Sequence, residues 1–276
     1  MPEKFFILAP FIALCLCVGC AVDPITGEEQ FMLISEEQDI EIGKQYAPEV
    51  EKQLGGRIKN DAVQNYIDTV GQKIARISHK PYWQHHFIAV NHSMVNALAL
   101  PGGYVFVTKG MLGKLTTEAQ LAALLSHEMV HIVARHSSAA MSQQIGVAIL
   151  IQGIGAAGAM PDSEAAYGLA NAAMQLIGLK YSREHERQAD LAGMDYMVRA
   201  GYDPCGAVEL IQMLEDMDSY RPVEFLSSHP SPENRITYLT VRAKSRYENL
   251  SNLRTGKDDY RMNVLDNLPP DDFNQP

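Results

Sequence analysis

The chain is short of positive charge. It carries 23 Lys and Arg against 33 Asp and Glu, a formal net charge of −10 over 276 residues. Non-specific nucleic-acid binding needs cations that neutralise phosphates, so that class is excluded. Cysteine is scarce too. Of the 4 Cys, Cys15, Cys17 and Cys20 crowd the N-terminus and only Cys205 lies in the body. Once the N-terminus is processed, no internal disulfide framework remains. The bland reading of Cys205 is a small buried residue after the Pro204 turn, with an intermolecular disulfide as the alternative. There is no repeat of solenoid length. The longest uninterrupted apolar segments fall short of the roughly 20 residues that a spanning helix needs. What is present is ordinary globular composition, 46% hydrophobic and 20% charged, enough for one sizeable core.

Met1 to Lys4 is short and polar, and Phe5 to Val18 is almost continuously apolar, broken by Pro10. That is the length of a signal h-region. It ends in Leu16-Cys17-Val18-Gly19-Cys20, which resembles a bacterial lipobox with Cys17 where Leu is usual. Residues 1–19 therefore read as a signal peptide and Cys20 as the lipidated residue. A simple secreted protein and a retained N-terminal anchor are the alternatives. Ala21 stands where an inner-membrane retention signal would have Asp, so the expected location is a bacterial outer membrane, lipid-anchored on its periplasmic face. The alternative is a soluble periplasmic protein. Asp23-Pro24-Ile25-Thr26-Gly27 is turn-rich, and residues 20–34 read as a lipid-anchored linker.

Ser35 with Gln38 forms a capping-box pattern for a helix that Gly55-Gly56 stops. Asp61 to Ile77 has helical apolar spacing. Phe87 to Val90, Met94 to Leu100 and Tyr104 to Val107 read as strands, the last two joined by Pro101-Gly102-Gly103. Thr117 caps a helix running to about Ser137. Further helices are expected over Ser182 to Ala200, Cys205 to Met217 and Pro232 to Tyr247. Residues 35–250 thus form one α+β domain, predominantly helical with a small sheet. Residues 251–276 read as a polar, flexible tail. The small, apolar stretch of about 142–179 reads as a packed helical hairpin, with a membrane-leaning flap or a true span as alternatives.

His127-Glu128-Met129-Val130-His131 is an HExxH motif on a predicted helix. Residues i and i+4 share a face, so the two imidazoles can grip one ion, as in zinc sites. Glu128 sits about 100° round the helix, where its carboxylate can take a proton from water without being a ligand. Leu121, Ala122, Leu124, Leu125, Ile132 and Val133 make the helix apolar nearly all round, hence central and buried. A His pair satisfied within a core is the alternative. A third ligand is needed. The metzincin pattern fails, since Ala134 and Ser137 stand where it needs Gly and His. His136 lies at the helix end, nearly opposite His127 on the wheel, and reads as a partner of the helix C-terminus. Ser182 to Asp190 offers both Glu184 and Glu186. Spacing does not separate them, though Asp190 at i+4 and the small residues Ala189 and Gly193 favour Glu186.

HExxH followed by Ser182-Arg183-x-x-Glu186-x-x-x-Asp190 resembles the zinc metallopeptidase family of the BepA/LoiP/HtpX type, which also includes Oma and the CAAX prenyl protease. Asn96-Ala97-Leu98-Ala99-Leu100-Pro101-Gly102-Gly103 and His229-Pro230 through Arg235-Ile236 are similar to two further blocks of that family. The resemblance covers about residues 23–245, and the short LoiP-like lipoproteins are the nearer match. It implies a zincin-like (gluzincin) fold with one Zn2+ held by His127, His131 and Glu186, and Glu128 as the base. Asp190 would be a proton donor or, as we favour, an orienter of a zinc-binding His. Asn96, Ala97, Pro101, Gly102 and Gly103 would form the edge strand on which substrate lies, with a plain turn as the alternative for the last three. His229 would gate the metal site, stabilise the transition state or serve a structural role. The implied function is an endopeptidase of the cell envelope cleaving extended segments of misfolded or stalled envelope proteins. The alternative is a chaperone-like holdase with a latent zinc site. Unfolded polypeptides are the expected partners.

Overall fold

The computed structural model describes residues 19–155 and 180–270. The signal segment before residue 19, most of the apolar stretch (residues 156–179) and residues 271–276 lie outside the described residues.

Two short strands, β1 (Cys20–Val22) and β2 (Glu29–Phe31), form an antiparallel hairpin, with Cys20 opposite Phe31. Helix α1 (Glu36–Gln53) follows, and both bonds of the expected capping box between Ser35 and Gln38 are present. Helix α2 spans Asp61–Ile77, capped by the Asn60 side chain. Strands β3 (His86–Val90), β4 (Ala97–Leu100) and β5 (Tyr104–Thr108) make a sheet of order β3-β5-β4. β5 is parallel to β3 and antiparallel to β4, so β4 is an edge.

After the one-turn helix α3 (Lys109–Leu112) comes α4 (Glu118–Val133), in which every residue is buried. It packs against α2, against α6 (Arg183–Arg199), and against α7 (Cys205–Asp218). The all-round apolar pattern of this segment thus becomes the central helix, as its sequence led us to expect. Helix α5 (His136–Gly155) leaves α4 at a corner where Arg135 has φ 59°. The segment ends with α8 (Glu224–Ser228), α9 (Arg235–Tyr247), α10 (Lys257–Asn263) and a 3-10 turn (Leu265–Asn267). Among the described residues no helix is long and apolar enough to cross a membrane.

Residues 20–34, read as a lipid-anchored linker, hold the β1–β2 hairpin. The hairpin is tied down where Gln30 Nε2 donates to the Ala134 carbonyl at 3.0 Å, and the Leu33 amide donates to Ser142 Oγ at 2.9 Å. Two expectations need correction. Cys205 is exposed, because it opens α7 on the outside of the Pro204 turn. Residues 251–270 are not a flexible tail. Tyr260 and Val264 are fully buried. The Glu118 and Ala119 amides, at the start of α4, donate to the carbonyls of Gly256 (3.3 Å) and Thr255 (3.0 Å). Arg254 donates twice to Glu118 Oε2, at 2.9 and 2.8 Å. The local run is polar because most of it faces water, which hid these few anchoring residues from a composition reading.

Glu118 also accepts from Tyr66 (2.6 Å) and Tyr202 (2.8 Å). Burial pushes its pKa up, but Arg254 and the two tyrosines outweigh that and hold it below the usual carboxylate value of 4.5. Its stabilisation is therefore complete above the unfolded pKa and is lost as pH falls through the lower folded value. Glu118→Gln is expected to cost about 2 kcal/mol at neutral pH. Urea titrations of the two proteins should converge as pH falls below about 4; a constant gap would contradict an ionised Glu118.

Candidate metal centre

Helix α4 carries His127, Glu128 and His131; α6, packed across it, carries Glu186 and Asp190. The two helices approach closely at Gly193, where an added Cβ would lie 3.1 Å from the His127 amide nitrogen. That is the close approach for which the small residues of α6 were read. It turns Glu186 inward, 0% exposed, while Glu184 faces solvent.

The donor atoms converge. His127 Nε2 and His131 Nε2 are 3.1 Å apart. Glu186 Oε2 lies 3.4 Å from His127 Nε2, and Glu186 Oε1 lies 3.3 Å from His131 Nε2. His229, at the end of α8, joins them, its Nδ1 2.9 Å from Glu186 Oε1 and 3.2 Å from His127 Nε2. Each of the four offers one ligand atom within 4.8 Å of the others, and all four are buried. A tetrahedral ion with bonds of roughly 2.0–2.1 Å sets its ligands about 3.3 Å apart, and two His with one Glu is a known catalytic donor set. The residues fit a zinc ion on spacing as well as on chemistry.

Glu128 is fully buried, and among the described residues neither of its carboxylate oxygens has a hydrogen-bond partner. His229 Nε2 is 3.6 Å from Oε1. Such a desolvated carboxylate is costly unless something else uses it. Burial raises its pKa against the opposing pull of His229 and His127, which moves a carboxylate toward the range of a general base. Burial also opposes charge on His127, but Glu186 and Asp190 outweigh it and carry that pKa up to about 9. Burial pushes His131 well below the ordinary range. Glu186 is held well down, because His229 and His127 overcome its burial.

Asp190 meets His127 Nδ1 at 3.1 Å, on the side of the ring away from the cluster, which is the geometry of an orienting partner. Sequence reasoning missed what holds Asp190. Arg235 Nε donates to its Oδ2 at 2.8 Å and Nη2 to its Oδ1 at 2.7 Å, and the Tyr238 hydroxyl also bonds Oδ2. In the sequence Arg235 stands out only as part of the His229-to-Ile236 block. Tyr181, also missed, stacks on His131 with centroids 3.8 Å apart.

One reading is corrected. His136 does not follow α4 as its C-terminal partner. The chain turns at Arg135, whose side chain donates to Asp39 and to the Ile34 carbonyl, 2.5 and 2.6 Å away, in a buried pocket. His136 thereby opens α5 and points back, its Nδ1 2.9 Å from His131 Nδ1. Burial, then the neighbouring His185, pushes the His136 pKa down to about 3. Asn96 and Ala97 are buried at the edge strand β4, but Pro101, Gly102 and Gly103 serve the chain's own packing. A Cβ at Gly102 (φ 78°) would lie 2.5 Å from the Asp39 carbonyl oxygen, and one at Gly103 (φ 101°) 2.3 Å from that of Gln84. The close backbone approach at these two glycines is to α1 and the loop before β3.

Residues 61–243 match the model of peptidase family M48. The chain is 29% identical over 234 residues to the beta-barrel assembly-enhancing protease of Escherichia coli (strain K12), covering 80% of this chain and 47% of that one. It is 33% identical over 153 residues to the mitochondrial metalloendopeptidase OMA1 of Arabidopsis thaliana, 55% of this chain and 30% of that one. With OMA1 of Schizosaccharomyces pombe the identity is 28% over 217 residues, 77% and 63% of the two chains. The chain spans about half the length of the beta-barrel assembly-enhancing proteases it matches.

Proposed function

The chain belongs to peptidase family M48, and on that premise we propose a zinc-dependent endopeptidase of the bacterial cell envelope that cleaves extended segments of misfolded or stalled envelope proteins. The observation that carries the reading is the fully buried Glu128 carboxylate, unpartnered at both oxygens among the described residues, beside three converging metal donors. A satisfied core pair or a purely structural site has no use for such a group.

His127, His131 and Glu186 would hold the ion, which would supply Lewis acidity toward the scissile carbonyl. Glu128 takes the proton of the attacking water and returns it to the leaving amine. Asp190, clamped by Arg235, orients His127. His229, with Nδ1 beside Glu186 and Nε2 beside Glu128, would gate the site. Asn96 precedes and Ala97 opens edge strand β4, whose main chain would receive an extended peptide.

The envelope assignment leans on the beta-barrel assembly named in the bacterial relatives. Those names describe a protease, and the OMA1 relatives are metalloendopeptidases, so the holdase alternative gains no support. The lipid anchor at Cys20 and an outer-membrane, periplasm-facing location fit the hairpin. Cys20 is exposed at the start of β1, and Val22 (61% exposed) and Phe31 (41%) lie on the same face. Intact-mass analysis checks the anchor; a mature chain still beginning at Met1 without an acyl group overturns it.

The test of the function is zinc analysis with cleavage of an unfolded outer-membrane barrel protein. About one zinc per chain and cleavage abolished by 1,10-phenanthroline, then restored by zinc, are expected. Cleavage indifferent to chelation refutes the proposal. Zinc at a hundredfold excess over its Kd should also stabilise the fold by about 2.7 kcal/mol. In a domain of this size that is roughly 5–10 °C of melting temperature, readable by calorimetry.

A further inference from the structure

The side of His131 that faces away from the metal donors begins a continuous line of hydrogen bonds, and the line ends in the N-terminal hairpin. His131 Nδ1 meets His136 Nδ1 at 2.9 Å. His136 Nε2 meets Gln188 Oε1 at 3.0 Å, and Gln188 Nε2 donates to Asp23 Oδ2 at 2.6 Å. Asp23 sits in the turn between β1 and β2, where its Oδ1 accepts from the Ile25 amide at 2.8 Å and its backbone bonds Glu28 and Gly27. His131, His136 and Asp23 are all buried, and the His185 ring lies flat on His136 with centroids 4.1 Å apart.

Each bond settles the polarity of the next. An ionised carboxylate only accepts, so it is the amide nitrogen of Gln188 that faces Asp23. The amide oxygen of Gln188 then faces His136. An amide oxygen only accepts, so the proton on His136 sits at Nε2, and in a neutral imidazole Nδ1 is left bare. Two bare nitrogens do not bond, so His131 must carry its proton on Nδ1. Its Nε2, the atom that faces His127 and Glu186, is therefore left with a lone pair. In the reverse polarity His131 Nε2 carries the proton and offers nothing to an ion.

We propose that Asp23 is a positioning residue for the metal centre, which acts through Gln188 and His136 to hold His131 in the tautomer that presents a bare Nε2. The proposal rests on the assignment of His131 as a metal ligand. It makes the hairpin, 108 residues before His131 in the sequence, a part of the site.

The test uses the whole mature chain with histidine labelled in 15N. In the metal-free protein, long-range nitrogen shifts report the tautomer of His131 directly. Zinc affinity is read separately by competition with a chromophoric chelator. Wild type should show His131 protonated at Nδ1. Asp23→Asn, which lets the Gln188 amide reverse, should mix the two tautomers and weaken zinc binding by about tenfold to a hundredfold, the usual loss when a ligand's outer partner is removed. Gln188→Met, which leaves the hairpin turn intact, should do the same, and the double variant should be no worse than either single one. Thr26→Ala, which removes a bond inside the same turn to the Glu28 amide, should change neither reading. Unchanged tautomer and unchanged affinity in Asp23→Asn and Gln188→Met would overturn the proposal, as would an equal loss in Thr26→Ala. Should the wild type bind no zinc, the proposed function fails, whereas the tautomer readout still decides this inference.

Discussion

Glu128→Gln is expected to abolish measurable cleavage of an unfolded barrel protein, a loss of about a thousandfold, within the range found when a general base is removed. Zinc content should stay at one per chain, since His127, His131 and Glu186 are untouched. Stability should hold or rise. The wild-type carboxylate is fully buried without a hydrogen-bond partner among the described residues, so its ionised form is penalised by desolvation, and a neutral amide of the same shape escapes that penalty. A variant that loses zinc, melts lower, or cleaves at the wild-type rate would each contradict the role given to Glu128. The combination of inactive, loaded and at least as stable separates a reacting group from a structural one.

The second large effect concerns the guanidinium behind the site. Arg235 is 2% exposed, bonds Asp190 through two nitrogens, and lies 3.4 Å from Glu186 Oε2. Asp190 is buried, yet Arg235, followed by His127, holds its pKa below the ordinary value. Arg235→Ala leaves Asp190 with only His127 and Tyr238 and takes a cation away from Glu186. Breaking a buried pair in this way costs about 3–5 kcal/mol, or roughly 10 °C of melting temperature in a domain of this size. Arg235→Lys should recover only part, because a single ammonium cannot reproduce the bidentate fork. Saturating zinc should restore more of the loss in Arg235→Ala than it adds to wild type, since the ion takes over the compensation of Glu186. Melting curves with and without zinc decide this; an equal shift in both proteins would mean that Arg235 and the metal do not share Glu186.

How much of this was readable beforehand depended on whether the cause was local. The central helix announced itself through apolar residues on every side, and α1 and α2 through caps at Ser35 and spacing from Asp61 to Ile77. HExxH placed His127, Glu128 and His131 by helical geometry alone. The inward turn of Glu186 depended on how near α6 comes to α4, which Gly193 hints at but does not determine. Arg235, Tyr238 and Tyr181 were invisible as site residues, because their partners lie far along the chain or on another element. His136 was misread because helical periodicity was carried through Arg135, where a left-handed residue resets the direction. At Pro101-Gly102-Gly103 the permissive backbone was legible, but permissiveness does not say whose atoms come close; at the two glycines they are those of α1 and of the loop before β3.

The bond between Asp23 and Gln188 also sets an order of events. The two residues are 165 positions apart, and Arg254 clasps Glu118 across 136. During synthesis the hairpin emerges early and waits for its partner while most of the chain is still being made. Contacts of such separation form late, because the loop they close must be ordered first. These two contacts therefore act as final fasteners of the centre, and a chain that has not yet formed them carries HExxH without the bonds that hold it in place.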